Sequence, residues 1–258
     1  MPADSNASGT AVEIINPLGS GNVVLLCEHA SSHIPERYNG LGLDDKDTKS
    51  HAAWDPGARE LGLILANELD AAFVCSCVSR LVYDCNRPPS AKSAMPEKSE
   101  LIEIPGNRNL SDAARTERVQ TVYVPFCTKV SDVLSKRADP PVALVTIHSF
   151  TPVYFGATRE VEIGLLHDSD SQMVDLMLAN AANLPHRCIQ RNAPYGPEDG
   201  VTHSLKLHGI QNGLPNVMIE VRNDLLKTPK DIRAIADELL SMLRPALNAL
   251  SDGEAKDA

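Results

Sequence analysis

Ala143-Leu-Val-Thr-Ile147 is the stretch that decides the fold, and it ends abruptly in His148-Ser149-Phe150. A continuous apolar run of this length predicts a strand that is covered on both faces, as in the middle of a parallel sheet. His148 then lies at the carboxyl end of that strand. Open α/β sheets bind their ligands at this end, because the loops that leave the strands splay apart into a crevice.

Three other stretches end in the same way. Apolar runs lead into polar residues at Val23-Val-Leu-Leu-Cys27 before Glu28-His29, at Leu81-Val-Tyr83 before Asp84-Cys-Asn-Arg87, and at Val217-Met-Ile219 before Glu220-Val-Arg222. If these strands are parallel neighbours, their polar ends converge on one small volume. The sequence therefore predicts an α/β fold with a mostly parallel or mixed central sheet, covered by helices in three layers.

The length of the chain and its hydrophobic content favour one domain. The 258 residues are 43% hydrophobic, which is enough to bury a large core, and no linker-like stretch divides the apolar segments. We expect a single domain over residues 1–258, with an N-terminal arm at 1–21 and a frayed tail at 252–258.

The net charge and the cysteine spacing limit the kinds of binding partner and the compartment that we expect. A formal net charge of −10 argues against nucleic acid or an anionic membrane surface. No apolar run approaches the roughly 20 residues that span a bilayer, the N-terminus lacks the pattern of a signal peptide, and the six cysteines show no C-x-x-C spacing. We expect a reduced, cytoplasmic protein that acts on a small molecule; whether it forms a homo-oligomer is left open.

The remaining pattern alternates helices and strands. Asp55-Pro56 favours a helix start, with Asp55 as the N-cap. The other expected elements are a strand at 72–78 that 81–83 continues or follows, a helix at 111–136 that Pro125 kinks or divides, strands at 162–166 and 188–190, and helices at 171–183 and from Thr228. Residues 88–110 and 192–213 read as long loops, and the first is typical of a lid, a binding loop or a disordered segment.

Histidines at two strand ends, with acidic residues close by, fit a zinc site that has three protein ligands and one open position. His29 and His148 are the expected imidazole ligands, although either alone is commonly a hydrogen-bonded loop residue. The alternative for Asp55 is a helix N-cap. A carboxylate that ends a buried strand, as Glu220 does, is costly to bury unless it is paired or functional. The alternative for Glu220 is a structural ion pair with Arg222 or Arg87.

The same residues carry a resemblance to a known family. The series Cys27-Glu-His-Ala-Ser31, Ala53-Trp-Asp55, Ser79-Arg-Leu-Val-Tyr-Asp-Cys-Asn-Arg-Pro88, Ile147-His-Ser149, His208-Gly209 and Ile219-Glu-Val-Arg-Asn-Asp224 resembles the N-formylglutamate amidohydrolases. The match runs in order from about Val23 to Asp224. That family is similar in turn to the zinc carboxypeptidases and aspartoacylases, so the resemblance implies a zinc-exopeptidase-like fold.

The resemblance also implies roles for single residues. Zn²⁺, or another divalent metal ion, is held by His29, His148 and a carboxylate, for which Asp55 is the first choice and Glu28 the alternative. Glu220 acts as the base and Arg80 stabilises the oxyanion. Asn86 and Arg87 bind the carboxylate of the substrate, and His208 and Arg222 are further candidates for substrate contacts.

Three departures from the relatives bear on the substrate. Ser32 stands where zinc carboxypeptidases have a ligating glutamate after His29, Cys127 where close relatives are expected to have histidine, and the Pro88 loop differs from the deformylase of histidine degradation. The expected reaction is hydrolysis of an N-acyl amino acid, with N-formyl-L-glutamate as the first choice. The alternatives are a related hydrolase of another N-acyl amino acid or small amide, and a non-catalytic binding protein on the same fold.

Overall fold

The computed structural model describes residues 10–136 and 143–257, with side chains up to residue 253. The expectations for residues 1–9 of the arm and for the last residue of the tail lie outside this part. Within it, no helix is long and apolar enough to cross a membrane. The six cysteines all lie in the described part and form no disulfide.

The described strands are β1 (Val12–Ile15), β2 (Val23–Cys27), β3 (Ala72–Ser76), β4 (Lys98–Ser99), β5 (Ile102–Glu103), β6 (Ala143–Phe150), β7 (Val153–Tyr154), β8 (Ala157–Thr158), β9 (Ile163–Leu166), β10 (Ile189–Arg191) and β11 (Asn216–Arg222). The described α-helices are α1 (Ala58–Glu68), α2 (Asp112–Arg118), α3 (Val124–Ser135), α4 (Gln172–Ala181) and α5 (Pro229–Asp257).

Seven strands form the central sheet in the order β1-β3-β2-β6-β11-β9-β10. Strands β3, β2, β6 and β11 run parallel to one another, and β9 and β10 form a second parallel pair. β1 joins β3, and β9 joins β11, in antiparallel fashion. The predicted mostly parallel or mixed sheet is therefore confirmed. The pairs β4–β5 and β7–β8 are short hairpins apart from it.

Side-chain alternation gives the sheet two cores. On β6, Val145 and Ile147 face the core that α1, α4 and α5 complete, whereas Leu144 faces the core completed by α3. Because successive side chains of a strand point to opposite faces, His148 lies on the same face as Leu144. Helices on both faces bury all eight residues of β6, which confirms the three-layer prediction.

The predicted strand at 81–83 is wrong. These residues form a turn because Ser79 binds the backbone that follows it: its hydroxyl accepts from the Leu81 N–H at 3.2 Å, and its carbonyl accepts from the Val82 N–H at 2.9 Å. The side chains of Leu81, Val82 and Tyr83 are nevertheless buried. Their hydrophobicity reflects a core position, and the strand before Asp84 is β3.

The helix that follows Asp55 begins later than predicted. Gly57 precedes the first helical residue, Ala58, and has a φ of 82°, which favours glycine. Asp55 is therefore not the N-cap, and its carboxylate is free for other contacts.

Pro125 has the predicted effect on the helix at 111–136. The segment divides into α2 and α3 with a wide π-helical turn, Val119–Tyr123, between them. Proline lacks an N–H and clashes with the preceding turn, so the regular ladder cannot run through this point.

The two ends of the chain are more regular than expected. Val12–Ile15 of the predicted arm forms the edge strand β1, and the backbone of α5 stays helical to Asp257, past the start of the predicted tail.

Candidate active site

Three neighbouring strands bring the predicted residues together. Glu220 on β11 pairs directly with His148 on β6, and His29 follows the next strand, β2. Since the strands are parallel, their carboxyl ends meet at one edge of the sheet, as expected from the sequence. These residues line one cavity of about 200 Å³, together with Asp55, Arg80, Asn86 and Arg87.

His29, Asp55 and His148 form a compact triangle of ligand atoms. The two Nδ1 atoms are 3.2 Å apart, and Oδ2 of Asp55 lies 3.0 Å from Nδ1 of His148 and 3.3 Å from Nδ1 of His29. A tetrahedral zinc site with bonds of about 2.0 to 2.2 Å separates its ligand atoms by about 3.3 to 3.6 Å. The triangle therefore has nearly the size that a metal ion requires.

Two carboxylates lie next to the outer ring nitrogens of the imidazoles. Nε2 of His29 lies 2.7 Å from Oδ1 of Asp84, and Nε2 of His148 lies 3.1 Å from Oε2 of Glu28. A neutral imidazole in either position, with its proton on Nε2, would turn the lone pair of Nδ1 toward the triangle. Three electron-rich atoms then face one another, an arrangement that a cation would stabilise.

The electrostatics of the triangle also require positive charge. Burial alone would lower the pKa of His148, but the charge of Glu28 and the hydrogen bond to Asp55 outweigh it and raise this pKa well above its usual value. Burial would raise the pKa of Asp55, yet the two histidines and Arg80 hold it well below the usual range. A proton or a metal ion would supply this positive charge, and the two imidazoles and one carboxylate suit a divalent metal.

Asp55, and not Glu28, completes the triangle. The backbone N–H of Asp55 donates to the carbonyl of His29 at 3.0 Å, which ties the residue to the end of β2. Its Oδ2 also accepts from the N–H of Ser149 at 3.3 Å. Glu28 contacts His148 through the other ring nitrogen and therefore lies behind the ring, at the opposite end from Asp55.

Glu220 is the buried carboxylate next to the triangle. It is 6% exposed and lines the cavity, and its Oε2 has no hydrogen-bond partner among the described residues. Burial, together with the charge of Asp55, raises its pKa to about 7 although His148 and His29 act in the opposite direction. A carboxylate with a pKa near neutrality can accept and return a proton.

Arg80 joins two of the acidic residues. Its guanidinium lies 3.3 Å from Asp55 and 2.9 Å from Asp84, and it is 28% exposed, on the cavity side. This double ion pair fixes the position of the guanidinium while some of its N–H groups border the cavity.

Asn86 and Arg87 border the cavity in different ways. The Asn86 side chain donates to the carbonyl of Val201 and accepts from the N–H of Ser204, so it anchors the second long loop. Arg87 donates to the Asn86 carbonyl at 2.9 Å and has no carboxylate partner among the described residues. Arg87 is therefore the freer of the two for a substrate carboxylate.

His208 and Arg222 are not brought to the cavity. His208 is buried in the π-helical turn Leu205–Gly209, where burial lowers its pKa to about 4. Arg222 pairs with Asp224 at 2.8 Å and donates to the carbonyl of Arg159. Neither side chain is among those that line the cavity.

Sequence reasoning missed several side chains at the site. Asp84 belongs to the motif at Ser79–Pro88, but only the folded structure shows its hydrogen bond with His29. Tyr154, Tyr195, His51 and Glu100 also line the cavity, and they come from loops and from hairpins apart from the main sheet. The Tyr195 pKa is raised to about 12 by burial and by the charge of Glu220, so the phenol stays a hydrogen-bond donor. Loop residues of this kind carry no periodic signal that could have placed them.

The fold and the site together define an α/β protein whose polar residues gather in a cavity at the carboxyl ends of parallel strands. Residues 21–227 match the family model of N-formylglutamate amidohydrolase, and the chain belongs to this family. It is therefore a hydrolase of the amide-cleaving kind. A search of curated proteins found no match.

Two solved structures are similar to this chain in their fold. A gene product of Agrobacterium tumefaciens is 50% identical, with a TM-score of 0.91, over 94% of this chain and 96% of that chain. The N-formylglutamate amidohydrolase from Ralstonia eutropha JMP134 is 15% identical, with a TM-score of 0.62, over 95% of this chain and 99% of that chain. At this identity the second likeness concerns the fold alone.

Proposed function

We propose that this chain is a metal-dependent amidohydrolase that removes the acyl group of a small N-acyl amino acid, with N-formyl-L-glutamate as the first substrate to test. The observation that carries the proposal is the triangle of His29, Asp55 and His148 beside a buried glutamate whose pKa lies near 7. Family membership supports the amide bond as the target.

His29, Asp55 and His148 would hold the metal ion. When bound, such an ion lowers the pKa of a coordinated water to about 7 and polarises the carbonyl of the substrate. Zn²⁺ is the first choice, although imidazole and carboxylate ligands accept other first-row metals.

The chain's own residues would supply the rest of the chemistry. Glu220 takes the proton of the attacking water and delivers it to the leaving amine. The N–H groups of Arg80 that border the cavity stabilise the charge that develops on the carbonyl oxygen. Arg87 binds the carboxylate of the substrate, and Asn86 beside it fixes the loop that closes that end of the cavity.

The experiment is metal analysis by mass spectrometry on protein that was purified without chelator, together with turnover of N-formyl-L-glutamate. About one zinc per chain and measurable hydrolysis are expected for the wild type. The variant His148→Ala should lose both. The matched control is His186→Ala, because His186 is 58% exposed and pairs with Glu238 at the surface.

Two results would contradict the proposal. A wild type that retains no added zinc would remove the metal from the mechanism. A wild type that binds zinc but hydrolyses none of a panel of N-formyl and N-acetyl amino acids would favour the non-catalytic binding protein instead.

A further inference from the structure

The hydroxyl groups that line the cavity differ in whether their O–H is already engaged. Among the described residues they belong to Ser99, Ser149, Thr151, Tyr154 and Tyr195. The hydroxyl of Ser149 donates to a backbone carbonyl at 2.9 Å, and that of Thr151 donates to another at 3.0 Å. The other three O–H groups have no acceptor within the described part of the chain, so they are available to a substrate.

Of these three side chains, Tyr195 is the one that packs on the central sheet. Ser99 and Tyr154 belong to the short hairpins β4–β5 and β7–β8, which lie apart from it. The ring of Tyr195 packs against a small buried cluster that includes residues of β9 and β11. The guanidinium of Arg159 also lies over this ring, with 4.7 Å between its central carbon and the ring centroid. Packing of this kind fixes the position of a hydroxyl group.

The Tyr195 hydroxyl lies near the groups that carry the proposed chemistry. Met218 of the cluster and Glu220 point to the same face of β11, because they are two residues apart on one strand. The charges of Glu220 and Arg80 both act on the phenol, the first raising its pKa and the second lowering it. Burial is the larger influence and raises the pKa of Tyr195 to about 12, so the phenol keeps its proton at neutral pH.

Hydrolysis of an amide creates a negative charge that such a donor suits. As the water oxygen bonds to the carbonyl carbon, the π electron pair of the C=O bond moves to the carbonyl oxygen. That pair returns when the C–N bond breaks, and the amine leaves with the electrons of this bond and takes the proton from Glu220. A donor aimed at the carbonyl oxygen acts most strongly in the transition state and gives up no proton.

We propose that Tyr195 is a catalytic residue whose hydroxyl donates a hydrogen bond to the carbonyl oxygen of the substrate as the oxyanion forms. It acts beside Arg80, whose guanidinium is shared with Asp55 and Asp84. This inference rests on the proposed function, and it assigns a role to a residue that lies outside every motif of the sequence.

The test is the steady-state kinetics of Tyr195→Phe on N-formyl-L-glutamate, with zinc supplied. Phenylalanine keeps the ring and its packing and removes only the hydroxyl. We expect kcat to fall about 10²-fold, the lower end of the range for an oxyanion donor, because Arg80 remains. KM should change by less than about 3-fold, since the lost interaction belongs to the transition state. Zinc content and melting temperature should stay at the wild-type values.

The pH profile of kcat separates this role from an action through Glu220. If the phenol donated to the Glu220 carboxylate, its removal would raise the pKa of that carboxyl and move the acidic limb of the profile to higher pH. A donor to the oxyanion leaves the limb in place, and kcat falls by the same factor from about pH 5 to about pH 9.

The matched control is Tyr38→Phe. The ring of Tyr38 also lies under a guanidinium, with the central carbon of Arg37 4.6 Å from its centroid, and its hydroxyl donates to Glu117 at 3.0 Å. Because Tyr38 does not line the cavity, this variant should leave kcat unchanged. Tyr154→Phe removes the other available phenol and should lower kcat less than Tyr195→Phe does.

The outcomes separate this inference from the proposed function. An active wild type with an unchanged kcat in Tyr195→Phe overturns the role of Tyr195 and leaves the hydrolase intact. A rise in KM alone, a loss of zinc, a shifted acidic limb, or a larger loss of kcat in Tyr154→Phe also overturns it. Absence of turnover by the wild type on every N-acyl amino acid overturns both.

Discussion

Two buried glutamates neighbour the same histidine, Glu28 through the His148 side chain and Glu220 on the adjacent strand, and their surroundings shift their pKa values in opposite directions. Both are counted among the buried residues, and burial raises the pKa of each. At Glu28 the charge and hydrogen bond of His148 win, and the pKa falls to about 2. At Glu220 burial and Asp55 win, and the pKa rises to about 7.

The difference supports separate proposed roles, in which Glu28 orients His148 and Glu220 exchanges a proton. A carboxylate that stays ionised at all working pH values can hold the Nε2 proton of His148 and so direct Nδ1 at the triangle. A carboxylate with a pKa near 7 can take up and release a proton during a reaction. Position in the fold, rather than residue type, separates the two roles.

The largest expected effect is that of Glu220→Gln. If Glu220 transfers the proton, kcat should fall by about 10²-fold to 10⁴-fold, whereas zinc content should stay at the wild-type value. Steady-state kinetics and metal analysis of the same preparation check this. An unchanged kcat would remove Glu220 from the chemistry and erase the contrast with Glu28.

Glu28→Gln should act on the metal instead. Loss of the charge behind His148 is expected to weaken zinc binding by about 10-fold to 100-fold, as measured by competition with a chelating dye. At saturating zinc, kcat should fall less than in Glu220→Gln. Asp84→Asn is the matched variant, because Oδ1 of Asp84 lies 2.7 Å from Nε2 of His29, the corresponding ring nitrogen. Unaltered affinity in both variants would show that these carboxylates do not orient the ligands.

The two glutamates should also give the metal-free protein opposite dependences of stability on pH. Because the pKa of Glu220 is raised, the native state binds its proton more tightly than the unfolded state does. The contribution of protonated Glu220 to stability is therefore lost as pH rises from about 4.5 to about 7. The lowered pKa of Glu28 means that its contribution is lost as pH falls from about 4.5 to about 2.

Urea unfolding at pH 5 and pH 7.5 measures the first of these effects. The free energy of unfolding of Glu220→Gln, taken relative to that of the wild type, should be higher at pH 7.5 than at pH 5 by up to about 3 kcal/mol. A difference that does not change with pH would argue against the raised pKa.

His208→Gln should have the smallest effect on catalysis. His208 lies in the loop on the Glu28 side and does not line the cavity, so KM should change by less than about 3-fold. A larger rise in KM, with zinc affinity unchanged, would restore the substrate contact that the sequence predicted for this residue.

The sequence correctly placed those site residues that directly follow or end a buried strand. The apolar runs of β2, β6 and β11 place His29, His148 and Glu220 at strand ends, because an uninterrupted hydrophobic stretch identifies a buried strand and its carboxyl end identifies the crevice. It failed at 81–83, where the hydroxyl of Ser79 turns an equally apolar run into a buried turn. Hydrophobicity reports burial in both cases and cannot tell a strand from a packed turn.

The sequence by itself determined the three-layer fold, the edge of the sheet that carries the site, and the family. Only the tertiary structure decided that Asp55 completes the triangle while Glu28 stands behind His148, and that Arg222 and His208 lie away from the cavity. It also placed the Arg159 guanidinium over the ring of Tyr195, with 4.7 Å between its central carbon and the ring centroid. Strand ends follow from local periodicity, but these contacts join residues that are distant in the chain, and their directions depend on packing that no local pattern encodes.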